Sequence, residues 1–96
     1  MLKKNQQRLY EAFYESTHQN EHLDKKTDIL VGLAAAMSMN CNPCMRYYLK
    51  LAKKHKIMKG EISEVLAKVM AVAAGQKKLQ MQEVVEEYTI DLESYE

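Results

Sequence analysis

The chain has 96 residues, 47% apolar and 28% charged, with 14 Lys+Arg against 13 Asp+Glu and a formal charge of +1. These proportions describe one small water-soluble domain and exclude a highly basic nucleic-acid binder, while two cysteines allow at most one internal disulfide. A chain this short buries only about 60–65% of its unfolded surface, so self-association is expected to supplement a thin core.

Three Gly, one Pro, one Phe and no Trp, beside many Ala, Leu, Met, Lys, Glu and Gln, predict an all-α fold with few tight turns. MLKKNQQRLY carries a basic start without an apolar h-region or small-residue cleavage site, so a cytoplasmic location is expected. The longest apolar run, Ile29 to Met37 with Gly32 inside it, is shorter than the ~20 residues of a membrane span, and no membrane association is expected.

From about Lys4 to Thr17, Leu9, Tyr10, Phe13 and Tyr14 recur at helical spacing and predict an amphipathic helix with an aromatic face. THQNEHLDKK, residues 17–26, is polar and reads as a helix end or linker, with Asp24 or Thr27 available to cap the next helix. Residues 28–39, DILVGLAAAMSM, are apolar on nearly every side and predict the central helix of the core. Pro43 then suits a first helical position behind an Asn42 cap. The helix it opens runs to about Lys54, with Met45, Tyr48, Leu49 and Ala52 as its apolar stripe. Ile62, Val65, Leu66, Val69, Met70 and Ala73 mark a fourth helix that Gly75 is expected to end, and Met81 to Tyr95 a fifth. The domain therefore spans residues 1–96 as a compact bundle of about five helices.

Charge is distributed unevenly. Residues 46–59 hold six basic and no acidic residues, and residues 61–96 hold eight acidic and three basic. The two segments are expected to neutralise each other within or between subunits. No nucleic-acid motif accompanies the basic run, and no nucleic-acid partner is expected.

Cys41 and Cys44 form a C-x-x-C at a helix start, where backbone N–H groups and the helix dipole favour a thiolate. Arg46 adds a positive charge nearby. Such a pair can perform thiol–disulfide exchange, one sulfur attacking a peroxide or disulfide and the other resolving the product. Two other readings stand beside it. His18 and His22, four apart, can complete a zinc site with the two sulfurs, or the cysteines simply pack. Tyr47 and Tyr48 follow Cys44 by three and four residues, and either phenol can donate a hydrogen bond to a thiolate or bound peroxide. A cleft near Cys44, lined by Tyr47, Tyr48 and the Ile29 helix, is the place expected for a substrate. His55 lies three turns along the same helix, too far to serve the pair. The seven methionines read as core filler rather than copper ligands, and no cofactor is expected.

Residues 26–75, KTDILVGLAAAMSMNCNPCMRYYLKLAKKHKIMKGEISEVLAKVMAVAAG, resemble the carboxymuconolactone decarboxylase superfamily, in particular its alkylhydroperoxidase D-like branch. The likeness rests on order: an Ala-rich helix leads into C-x-x-C, then come an R-Y-x-x-K helix, a Gly followed by an E-I-x-E-V-L helix, and a small-residue helix. It implies an all-helical homo-oligomer, a trimer or hexamer. It also implies Cys41 and Cys44 as the redox pair, with Cys44 attacking and Cys41 resolving, a dithiol or lipoyl electron donor and a peroxiredoxin partner; Tyr48 is the candidate hydrogen-bond donor from its spacing alone. Redox members carry a proton relay of a Glu twelve residues before the first Cys and a His four after the second. Those positions here are Ile29 and Tyr48, and Asp28 is rotated by about 100° from the Glu position. A thiol pair without its base implies weakened peroxidase activity, general-base loss costing ~10²–10⁴-fold. A non-enzymatic oligomeric scaffold on the same fold is the alternative, and nothing in the sequence is placed for lactone decarboxylation.

Overall fold

The computed structural model describes all 96 residues. It contains α1 (Lys4–Ser16), α2 (Lys25–Ser38), α3 (Asn42–Lys54), α4 (Lys59–Glu87) and a closing 3₁₀ turn at Leu92–Ser94, with no strand.

Local hydrogen bonding explains where these helices begin and end. Asp24 caps α2, its carboxylate accepting the Thr27 N–H at 2.7 Å, and the hydrogen bonds from Thr27 hold the Asp24 carboxyl below its ordinary pKa. At α4, the Met58 N–H donates to Glu61 Oε1 at 3.3 Å, satisfying an otherwise orphaned donor. Glu61 also pairs with Lys26, tying α4 to α2, and that pairing is the main reason its carboxyl lies below the usual range.

Helices α2, α3 and α4 all end in the same way without glycine. Asn40, Lys56 and Thr89 each adopt a positive φ of 50–59°. After each, the next residue's N–H reaches back to the helix: Cys41 to the Ala36 carbonyl, Ile57 to Ala52 and Ile90 to Val85, at 2.9–3.0 Å. These are Schellman closures, and they satisfy carbonyls that the helix leaves unpaired.

The sequence places a helix end at Gly75, but α4 runs unbroken through it for 29 residues and absorbs the start of the expected fifth helix, as far as Glu87. A mid-helix glycine costs only about 1 kcal/mol relative to alanine. GQKKLQMQE offers good helix formers and no proline, so nothing local stops the helix before Thr89. A Cβ at Gly75 meets nothing within 4 Å. Gly75→Ala is therefore expected to stabilise the protein by about 1 kcal/mol, a rise of about 4–8 °C in Tm. Thermal denaturation followed by circular dichroism measures this, and an unchanged or lower Tm contradicts it.

The core is small and centred on α2. Ile29, Leu33 and Ala36 of α2, Ala52 of α3 and Ile57 in the α3–α4 turn are the buried residues. Leu30, Tyr48, Leu51 and Ile62 pack against the cluster of Ile29, Ala52 and Ile57. α2 packs against both α3 and α4, as its near-continuous apolar surface requires. No residue of α1 or α4 is buried.

Candidate active site

Two consecutive caps position the cysteines. The Schellman closure of α2 turns the chain at Asn40 and delivers Cys41 in extended conformation, φ −97° and ψ 94°, as the N-cap of α3. The helix thus starts at Asn42, one residue earlier than the sequence suggests, and Cys41 rather than Asn42 caps it. Cys41 Sγ accepts the Cys44 N–H at 3.3 Å. Cap geometry brings the sulfurs together, and Cys41 and Cys44 are joined as a disulfide with Cα atoms 5.2 Å apart. Both residues are half-buried, which leaves the bridge open to an attacking thiol.

Tyr48 follows Cys44 by one helical turn and lies on the same face of α3. Its ring covers Gly32 of α2, where an added Cβ overlaps Cε1 and Cζ. Gly32 is thus the position that lets α3 approach α2 beside the cysteine turn. Burial, followed by the proximity of Tyr14, Asp28 and Tyr47, raises the Tyr48 pKa. The phenol remains protonated near neutrality and acts only as a donor. Gly32→Ala is expected to cost about 1–3 kcal/mol by overpacking, because the added methyl displaces a half-buried ring. In a Tyr48→Ala background most of that loss should disappear, and a double-mutant cycle in urea measures the coupling. Equal losses in both backgrounds contradict the contact.

The sequence offers His18 as a metal ligand, and the fold gives it a different place. His18 belongs to no helix, yet its ring packs edge-on to Tyr14 with centroids 4.8 Å apart and lies 5.9 Å from Tyr47. Tyr47 meets Tyr48 at 5.0 Å, and Tyr10 stacks on Tyr14 at 6.3 Å. A row of rings thus runs from α1 to α3. Its sequence signal is the four-residue spacing of Tyr10, Tyr14 and His18, one stripe continuing past the helix end. His18 Nε2 is buried without a hydrogen-bond partner, and burial raises the Tyr14 pKa.

The alternative zinc set, Cys41 and Cys44 with His18 and His22, is not assembled. The cysteine sulfurs bond to each other, His18 lies among tyrosines, and no three metal-binding side chains converge. The two relay positions also differ from a relay in environment: Ile29 is fully buried and Tyr48 half-buried. An apolar groove of about 260 Å³ forms elsewhere, between α2 and α4, lined by residues that include Leu30, Val31, Ala34, Val65 and Val69 and none of Cys44, Tyr47 or Tyr48.

The model of the carboxymuconolactone decarboxylase family matches residues 6–87. The chain belongs to this family. A solved structure of a protein from Methanobacterium thermoautotrophicum, a structural genomics target, shares the fold of this chain at a TM-score of 0.74. It is 21% identical, and the match covers 80% of this chain and 86% of that one. No curated protein matches the sequence. The family match takes in α2, the cysteine turn and α3, so the C-x-x-C sits within the family's own helical frame.

Proposed function

We propose that the protein is a thiol–disulfide oxidoreductase whose working pair is Cys41 and Cys44. The observation that supports this reading best is the bridged, half-buried pair at the N-terminus of α3, with Cys41 Sγ on the Cys44 N–H. When a dithiol donor reduces the bridge, it gives up two electrons and two protons and itself becomes a disulfide. In the reduced protein the N–H groups and dipole at this helix start favour thiolate over thiol in the pair. Cys44 sulfur attacks the peroxide O–O bond, releases an alcohol or water, and becomes a sulfenic acid. Cys41 displaces water from that sulfenic acid and restores the disulfide. Tyr48, held protonated one turn beyond Cys44, donates a hydrogen bond to the thiolate or the peroxide oxygen. A peroxiredoxin disulfide reduced by the same exchange is the other substrate that fits the pair.

Ile29 and Tyr48 favour a second reading. With a buried isoleucine and a protonated phenol where the resemblance places Glu and His, the chain has no base for the attacking thiol. On that reading the protein is a non-enzymatic scaffold on the family fold.

Thiol titration across dithiol redox buffers, with mass spectrometry for the loss of two hydrogens, separates the two. A bridge that opens and closes reversibly at biological potentials is the expected result. Cysteines that remain in one state throughout that range overturn the redox reading and leave the scaffold.

A further inference from the structure

The segment that carries the bridge is charged with one sign only. Between Asp28 and Glu61 there is no acidic residue, while Arg46, Lys50, Lys53, Lys54, Lys56 and Lys59 all lie there. Each of these cations is exposed. The only ion pair within the chain is Lys26–Glu61, so none of them is neutralised internally.

Four of the cations form a stripe on α3. Arg46, Lys50, Lys53 and Lys54 stand at positions i, i+4, i+7 and i+8 of the helix, within about 100° of its circumference. Tyr48, Leu51 and Ala52 on the other side of α3 pack into the core, so the stripe faces away from it. It begins two residues after Cys44 and runs about 12 Å along the axis. Lys77 of α4 lines one hollow together with Asn40, the residue before Cys41, and adds a further cation beside the cysteine turn.

Such charge bears on the step that opens the bridge. The attacking group is a thiolate, and a positive potential around a disulfide raises the local concentration of anionic attackers. Screening limits the reach of each exposed charge to about 8 Å at physiological ionic strength. Arg46 therefore acts nearest the bridge, whereas Lys53 and Lys54 act only on a body large enough to lie along the helix.

We propose that the cationic stripe of α3 is the docking surface for the reductant, and that the reductant is an acidic protein presenting its dithiol beside carboxylates. The proposal rests on the thiol–disulfide reading of Cys41 and Cys44. The donor's thiolate attacks one sulfur of the bridge, forming a mixed disulfide and releasing the other sulfur as a thiolate. The donor's second thiolate then attacks the donor sulfur of that mixed disulfide and releases the protein's second thiolate. Two electrons and two protons pass to the protein, and the donor is left as a disulfide.

Stopped-flow reduction of the oxidised full chain by synthetic dithiol peptides tests this. The peptides share one C-x-x-C centre and differ only in flanking Glu, Gln or Lys residues, and each rate is referred to that peptide's thiolate fraction. At low ionic strength the Glu peptide is expected to open the bridge about 10-fold or more faster than the Gln peptide, and the Lys peptide more slowly than either. In salt of about 1 M, where screening shortens to about 3 Å, the three rates should converge. Lys50→Glu combined with Lys53→Glu changes two exposed positions and leaves the stripe with no net charge. This variant is expected to cut the Glu peptide's advantage to about 2-fold or less, while helicity and the Gln peptide's rate stay as in the wild type. If the glutamates disturb the last turn of α3, Lys50→Gln with Lys53→Gln should narrow the preference in the same direction. Equal rates for the three peptides at low ionic strength overturn the proposal and leave the stripe a solvated face. A Glu preference that survives undiminished in the folded variants overturns the role of the stripe. A bridge that none of the peptides opens, the Gln peptide included, overturns the thiol–disulfide reading itself and the proposal with it.

Discussion

Ile29→Glu is expected to be the most damaging single substitution in this protein. Ile29 has no exposed surface and lies at the centre of the cluster with Ala52 and Ile57. Truncating a side chain in such a site to alanine costs about 2–5 kcal/mol. Glutamate loses the apolar contacts and also buries a carboxyl group with no partner, which adds about 1–3 kcal/mol even when it stays protonated. Against a total stability of about 5–15 kcal/mol, this is enough to unfold much of the population at neutral pH. The pH dependence has a definite sign. Burial raises the carboxyl pKa in the folded state, so the folded form binds the extra proton and stability falls as pH rises above the unfolded value of about 4.3. Urea denaturation at pH 7 and pH 4 checks this: the gap from wild type should be large at pH 7 and smaller at pH 4. A variant as stable as wild type at pH 7 contradicts the burial. The consequence for function is direct, because a relay acid cannot be installed at position 29 without rebuilding the core around it.

Replacing either cysteine by serine is expected to abolish the internal bridge and reduce dithiol-dependent peroxide consumption by about 10³-fold or more, since the exchange has no second nucleophile. The structural effect should be small by comparison. Closing a four-residue loop contributes only about 2 kcal/mol on chain-entropy grounds. Serine at position 41 also keeps an N-cap acceptor for the Cys44 N–H, so α3 should still begin at Asn42. Cys41→Ala removes both bridge and cap and should be less stable than Cys41→Ser by about 1 kcal/mol. Peroxide assays with a dithiol donor, paired with thermal melts, separate chemistry from folding. Wild-type turnover in a serine variant would overturn the proposed roles.

These outcomes differ in how far the sequence alone anticipates them. Composition, the 3.6-residue periodicity and the cap residues predict an all-helical chain, and four α-helices form without a strand. Asp24 caps α2 as one of two candidates, and the C-x-x-C stands at the start of α3 within one residue of its expected position. Each depends on interactions spanning at most four or five residues, so each is written in short stretches of sequence. Helix ends were legible only in part, because Asn40, Lys56 and Thr89 take the left-handed conformation usually left to glycine, while Gly75 stays within α4.

What the sequence by itself determined is the helical class, the family and the pair of cysteines at a helix N-terminus. Only the tertiary structure decided that Ile29 is the fully enclosed residue, that Gly32 admits the Tyr48 ring, and that His18 joins the tyrosines of α1 to those of α3. The reason is distance along the chain. Gly32 and Tyr48 are sixteen residues apart, and His18 and Tyr47 twenty-nine, so their contacts follow from how whole helices pack and not from local propensity. The same packing leaves the apolar faces of α1 and the end of α4 uncovered in a single chain, because α2 has one long apolar surface to share and α3 and the first half of α4 occupy it.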